Sequence, residues 1–383
     1  MKCDHLFSEI DALQTQYFAI WADVCNLESP TADKKGVDAV GRYFVEFAEK
    51  RGWKCEIFPQ AVSGDVVCIT MNPDATGQPI ALSGHTDTVH PVGSFGSPAV
   101  RMDEEKIYGP GVIDCKGGIV AALMAMDALD RVGFRDRPVM LLLQSDEEVG
   151  SRFSQLATIH YICEKAKNAA AFLNLEGHAN GKACLSRKGI ARYDFTVTGI
   201  ETHSCRCAFD GANAIAEAAY KILALEKMKD ANGLTCNCGL IQGGTAANTV
   251  PRTCTFSADI RFSTAEEQQL ADRRVHEIAE ATNIPGCTCT VELKGSRIAM
   301  ALTQTNIDLL ETMNRIFAEN GLQTLTAVKN LGGSDAAYVT EYGIPCVDSF
   351  GVEGGALHSL QEFAWLASLA NTAKRCAAVA YCL

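Results

Sequence analysis

The chain has 383 residues, 47% of them hydrophobic and 21% charged, the composition of a folded globular protein rather than a disordered one. Its 34 basic against 46 acidic residues leave a formal charge of −12, which argues against nucleic acid or an anionic membrane as the main partner. No apolar run approaches the roughly 18 residues needed to span a bilayer, and the opening MKCDHLFSEIDALQ lacks the basic start and apolar core of a secretory signal.

The spacing of Leu6, Ile10, Leu13, Tyr17 and Ile20 predicts a first helix. Val37, Val40, Tyr43, Phe44 and Phe47 predict a second, which stops before Gly52. Four short apolar runs follow, at residues 66–69, 80–82, 139–143 and 171–173. The run at 139–143 is apolar at every position, as suits a strand buried on both faces of a parallel sheet. Helical patterns lie between the later runs, at 119–132 and 153–166, so strand and helix alternate as in an α/β fold. Residues from about 187 to 293 change character. They read as strand 193–198, helix 212–225, strands 235–241 and 253–262, charged helix 265–281 and strand 287–293. That β-α-β-β-α-β order is a ferredoxin-like split unit. The first sheet then regains its missing elements: helices at 306–320 and 335–341, a strand at 345–350 and a closing helix from Leu360. The expected architecture is a mixed, mostly parallel α/β sheet flanked by helices, formed by 1–185 and 297–383, with an inserted ferredoxin-like α+β domain over 186–296.

The residues after each buried run carry the chemistry. His85-Thr86-Asp87 follows IALSG, Glu147-Glu148 follows VMLLLQSD, and Glu176 follows AFLNL. In open α/β sheets ligands bind beyond the carboxyl ends of the strands, so these clusters are expected to converge. Two more candidates sit in glycine-rich loops: Asp114 in YGPGVIDCKGG and His358 in GVEGGALHS. A nitrogen and carboxylate donor set suits Zn²⁺ and, less well, Mn²⁺ or Co²⁺. Five such ligands exceed what one catalytic zinc with an open position needs, but they suit two metals that share a bridging carboxylate. Adjacent Glu147 and Glu148 should diverge where the strand ends, so one can bind metal while the other stays free as a general base. Asp87, two residues beyond His85, is placed to accept the second ring N–H of His85. Singly, each residue has an ordinary reading: His85 as a satisfied core histidine, Glu147 and Glu148 as solvated carboxylates, Asp114 as a helix N-cap.

The stretches SGHTDTVH, YGPGVIDCKGG, SDEEVGS, GGSDAAY and GALHS, in this order over nearly the whole chain, resemble the di-zinc exopeptidase and deacylase family. That family includes glutamate carboxypeptidase of the carboxypeptidase G type, succinyl-diaminopimelate desuccinylase, acetylornithine deacetylase and aminoacylase. The run GGSDAAYVTEYGIPCVDSFGVEGGALHS looks closest to the glutamate carboxypeptidase branch, whereas Glu rather than Asp at position 176 favours a deacylase or aminopeptidase. The resemblance implies that Asp114 bridges two zinc ions, that His85 and Glu176 complete one and Glu148 and His358 the other, and that Glu147 is the general base. It implies that Asp87 orients His85. It also makes the inserted domain a lid and dimerisation domain. There His203 would reach across a dimer to stabilise the oxyanion, Asn248 and Arg261 would bind substrate, and Gly333 and Ser334 would line the pocket. Cys115 stands where many relatives carry an acidic residue, after a peptide bond that relatives hold cis.

The implied activity is a zinc-dependent hydrolase that cleaves an amide bond next to a free carboxylate in a small peptide or N-acyl amino acid. The alternatives are an N-acyl amino acid deacylase and a non-catalytic binding protein on the same fold. A thiol redox sensor is a further reading of the 17 cysteines, but no C-x-x-C context supports it. Three i, i+2 pairs, Cys205/Cys207, Cys236/Cys238 and Cys287/Cys289, lack the C-x2-4-C spacing of thiolate zinc sites. Free thiols in a reducing cytoplasm are expected. A homodimer through the inserted domain is expected too, because an open ferredoxin-like sheet leaves an edge that two copies can pair.

Overall fold

In the computed structural model, which describes residues 2–178, 181–230 and 233–383, the strand Val139–Gln144 is buried at every position. It is flanked by the antiparallel strand Val66–Met71 and the parallel strand Ile80–His85. Two more strands extend the parallel part: Ala171–Asn174 beside Ile80–His85, and Cys346–Val347 beside Ala171–Asn174. Lys54–Phe58 closes the other edge, antiparallel to Val66–Met71. The sheet is therefore mixed and mostly parallel. The parallel strands all end at one edge, and the segments that follow them emerge there.

Helix Lys116–Arg131 packs on this sheet and is buried from Lys116 to Leu129. Helices Asp4–Asn26 and Leu366–Cys382 pack against it in turn, which explains why so few of its positions are polar. Close approach depends on its small residues: a Cβ on Gly118 would lie 2.3 Å from the backbone oxygen of Leu175. Among the described residues no helix is long and apolar enough to cross a membrane. All seventeen cysteines are free thiols.

The chain divides into two units. One runs to Ser186 and resumes at Leu302–Lys329 and Ser334–Leu383; the other comprises Arg187–Ala301 and Asn330–Gly333. In the second, strands Gly189–Thr198, Thr235–Gly243, Thr253–Phe262 and Thr288–Arg297 form an antiparallel sheet in which Thr235–Gly243 and Thr288–Arg297 are the edges. Helices Ala214–Glu226 and Ala265–Glu280 cover one face over a core that includes Tyr193, Phe195, Phe256 and Phe262.

Three elements differ from the sequence pattern for local reasons. The helix expected from residue 153 starts at Ala157, because Ser151, Gln155 and Leu156 have φ of 54°, 53° and 68° and cannot continue a right-handed turn. The strand expected over 345–350 is only Cys346–Val347; Ser349, at φ 56°, bends the chain away. The closing helix starts at Leu366 rather than Leu360, because Phe363–Trp365 is held as a strand against Lys106–Tyr108.

Candidate metal centre

His85 is the last residue of its strand and is 2% exposed. Its Nδ1 lies 2.9 Å from the backbone carbonyl of Asp87 and 3.3 Å from the Asp87 carboxylate, so both acceptors favour a proton on Nδ1. The backbone oxygen is the nearer partner. Nε2 is thereby turned to Asp114 Oδ1, at 3.1 Å, and Glu176 Oε1, at 3.8 Å. The backbone N–H of His85 donates to Cys115 Sγ at 2.9 Å.

Asp114 ends the loop that precedes helix Lys116–Arg131, and its bond to Cys115 is cis. It is not the helix N-cap, a position taken by Cys115 without a side-chain bond. Instead its two carboxylate oxygens face different imidazoles. Oδ1 faces His85, and Oδ2 lies 3.1 Å from His358 Nε2. His358 Nε2 is also 3.3 Å from Glu148 Oε2. Glu148 lies in the short turn Glu147–Val149 after strand Val139–Gln144, and His358 in a turn at φ 59°. Among the described residues two groups can each hold a metal ion, His85 with Asp114 and Glu176, and Asp114 with Glu148 and His358. In each, the ligand atoms lie within 4.8 Å of one another, and Asp114 belongs to both.

Glu147 belongs to neither group. Its backbone N–H donates to Asp87 Oδ1 at 3.2 Å, and the N–H of Glu148 donates to Asp87 Oδ2 at 3.2 Å. Asp87 also accepts from the Thr31 hydroxyl at 2.7 Å and is fully buried. One carboxylate thus braces both the histidine strand and the glutamate turn.

The electrostatics of the cluster are dominated by its burial and by its crowded acidic groups. Burial pushes the Glu148 carboxyl up to about 7. Burial opposes ionisation of Asp114 too, yet His358 and His85 hold it well below the usual carboxylate range. Hydrogen bonds donated to Asp114 and Glu148 raise His358 to about 10. His85 is raised against the cost of burial by Cys115, Asp114 and Asp87. Carboxylates around His358, and Cys115 with two carboxylates around His85, thus favour positive charge at both imidazoles. Divalent cations supply that positive charge in a nitrogen and oxygen cage, so the residues fit a metal pair.

The second unit carries the other sequence candidates except Ser334. His203 opens a short turn, and its Nδ1 accepts the Cys205 backbone N–H at 3.3 Å with Cys205 Sγ at 3.2 Å. This segment is zipped to the loop of Asn248: Ser204 N–H donates to the Asn248 carbonyl at 2.9 Å, and Val250 N–H to that of Thr202 at 2.8 Å. His203 and exposed Asn248 are therefore neighbours. Arg261 forks onto Asp259, Nε to Oδ1 at 2.5 Å and Nη2 to Oδ2 at 3.2 Å, with Nη1 3.5 Å from the Leu331 carbonyl. Two further arginines, which the sequence reading missed, approach the same segment. Arg187 Nη1 is 3.5 Å from the Gly332 carbonyl, and Arg297 Cδ would lie 2.6 Å from a Cβ on Gly333. Arg261 and Arg297 flank Ile190 on neighbouring strands, a pairing that depends on the bulge between Leu293 and Gly295 and so leaves no trace in the sequence spacing. Ser334, in the first unit, is buried, and its hydroxyl donates to Asp348 Oδ2 at 2.9 Å.

Comparison with known proteins gives the family and the fold. Residues 81–381 match the family model described as peptidase family M20/M25/M40. Carboxypeptidase G2 of Pseudomonas sp. (strain RS-16) is 29% identical over 340 residues, 87% of this chain and 81% of that protein. Succinyl-diaminopimelate desuccinylase of Janthinobacterium sp. (strain Marseille) is 25% identical over 364 residues, 90% of this chain and 92% of that one. In fold, the chain is similar to a dinuclear metal-binding M20 peptidase of Bacillus subtilis, with a TM-score of 0.70 at 17% identity, covering 97% of this chain and 98% of that chain.

Proposed function

This chain belongs to peptidase family M20/M25/M40, a family of metal-dependent hydrolases, and from that premise we propose that it is an exopeptidase that cleaves an amide bond next to a free carboxylate, in the manner of a glutamate carboxypeptidase. The observation that carries the reading is Asp114, whose two oxygens serve two separate ligand groups.

His85 and Glu176 would hold one ion, Glu148 and His358 the other, and Asp114 both. The donor set favours zinc, with manganese or cobalt as substitutes. Bound there, the ions supply Lewis acidity toward the carbonyl and make water acidic enough to attack near neutral pH. Glu147, adjacent to the cage but outside both ligand groups, takes the proton of the attacking water and returns it to the leaving nitrogen. Asp87 fixes the ring of His85 and the turn of Glu147 and Glu148 together.

In the second unit, His203 is the donor to the oxyanion, and its neighbour Asn248 binds substrate beside it. Asp259 holds the Nε and Nη2 edge of Arg261, and the substrate carboxylate is assigned to the remaining edge of the guanidinium, on the Nη1 side. Gly333, packed beside Arg297, is assigned to the pocket wall, and Ser334, buried with its hydroxyl on Asp348, is assigned to the wall's backing. Two copies associate through this unit. Support comes from the edge strand Thr235–Gly243, whose exposed Leu240 and Ile241 offer an unpaired apolar margin. Seventeen free thiols support a reducing, cytoplasmic setting.

An N-acyl amino acid deacylase is the second reading, favoured by the near full-length similarity to the desuccinylase. Hydrolysis assays with zinc-loaded protein decide, comparing dipeptides and pteroyl-type conjugates that end in glutamate with N-succinyl and N-acetyl amino acids. Turnover of the glutamate conjugates alone supports the carboxypeptidase; turnover of the acyl amino acids alone replaces it with the deacylase. No turnover of either by the metal-loaded dimer overturns both.

A further inference from the structure

Glu362 is 1% exposed, lies four residues beyond His358, and takes no part in either metal-ligand group. Its carboxylate nevertheless meets the loop that ends in Asp114. Oε1 accepts the backbone N–H of Ile113 at 3.1 Å and of Asp114 itself at 3.3 Å, and Oε2 accepts that of Gly111 at 3.2 Å. The main chain of Glu362 adds another tie, its carbonyl accepting the Gly109 N–H at 3.3 Å. On the other side, Glu362 N–H donates to the Ser359 carbonyl at 3.1 Å, which closes the turn after His358. His90, three residues beyond Asp87, brings Nε2 to 3.4 Å from Oε2. Two ligand-bearing segments, those of Asp114 and His358, are thus tied at one buried carboxylate, and the segment that follows His85 comes close to it.

An ionised carboxylate that accepts several backbone N–H bonds fixes a loop more firmly than neutral contacts do. The ordering matters at this loop because Asp114 must present one oxygen to each ligand group. A small rotation that suits one ion would spoil the other. We propose that Glu362 is a positioning residue of the metal centre, which locks the Asp114 loop to the His358 turn so that the shared carboxylate is aimed before any ion binds. The inference rests on the metal-centre reading above and adds to it a residue that touches no ion.

The test is Glu362→Gln, with Glu362→Ala and Glu362→Asp beside it, in the full-length protein. Gln keeps the shape but turns an amide N–H toward the Gly111 N–H. Zinc affinity is measured on metal-stripped, refilled protein by competition with a chromogenic chelator, and near-ultraviolet circular dichroism reports the fold. In folded Glu362→Gln the affinity should fall by about 10–100-fold, as for other groups that orient metal ligands. Glu362→Ala should lose at least as much, Glu362→Asp less. Amide exchange at Gly111, Ile113 and Asp114 should quicken in the metal-free variant. Unchanged affinity in folded Glu362→Gln overturns the proposal. So does a lower metal-free melting temperature with unchanged affinity, which marks a merely structural role. Should Gln and Ala not fold, Asp decides: a several-fold loss supports the role, and wild-type affinity overturns it. If wild-type protein itself binds no zinc, the metal-centre reading falls, and this inference with it; two tight ions in both wild type and Glu362→Gln overturn this inference alone.

Discussion

Asp87 Oδ2 accepts the backbone N–H of Glu148 at 3.2 Å, while the backbone carbonyl of Asp87 faces His85 Nδ1 at 2.9 Å. A ligand of each proposed ion is therefore aligned by the same residue. In Asp87→Asn, one acceptor oxygen becomes a donor that confronts an N–H of the glutamate turn. Zinc affinity should drop by about 10–100-fold, read by chelator competition on folded protein.

Glu147 should separate catalysis from metal binding. Its carboxylate stands outside both ligand groups, so Glu147→Gln should keep its metal content by emission spectrometry. Its kcat should fall by about 10²–10⁴-fold, the usual contribution of a general base. Full activity in this variant would remove the assigned base.

His203→Ala tests the oxyanion role from the second unit. Removing one such donor lowers kcat by about 10²–10³-fold, while zinc content and the circular dichroism of the variant should match wild type. A change confined to KM would reassign His203 to substrate binding.

Asp127 makes an acid-dependent contribution to stability. Burial opposes its ionisation, but hydrogen bonds from Arg51 and Arg131 outweigh that cost and hold the carboxyl below its usual range. A depressed folded-state pKa stabilises above the unfolded value of about 3.9 and is lost as pH falls through the folded value. Asp127→Asn should cost about 1–3 kcal/mol at pH 7. Urea denaturation should show that gap steady from neutral pH to about 5 and narrowing below about 4.

Gly118→Ala probes the packing that seats Glu176. The new methyl would lie 2.3 Å from the Leu175 oxygen and 2.8 Å from Leu175 Cβ, so the helix and the segment after strand Ala171–Asn174 must part. Overpacking of this kind costs about 1–3 kcal/mol. Thermal melts should show the loss, and zinc titration should show weaker binding, because Leu175 carries Glu176 with it.

That His85, Glu148 and Glu176 come to the same edge was legible because each follows an apolar run with a strong local signature. The apolar runs before His85, Glu148 and Glu176 are strands in a parallel sheet, and that arrangement alone sends the next residues to one edge. The antiparallel seat of Val66–Met71 against Val139–Gln144 was not legible, since an apolar run is the same in either direction. Helix starts near Leu156 and Leu366 were misplaced because left-handed residues and a three-residue strand overrode a good helical pattern. Glu362 and Arg297 were invisible for a different reason: the first meets partners about 250 positions away, and the second is aimed by a strand bulge.

The insertion of the second unit sets a timetable for the newborn enzyme. His85, Asp114, Glu148 and Glu176 all precede Arg187, whereas His358 lies beyond Ala301. Domains leave the ribosome amino end first, so the trio of His85, Asp114 and Glu176 emerges while its counterpart still waits for an imidazole. A polypeptide arrested within the inserted unit would carry every member of one ligand group but lack the closing imidazole of the other.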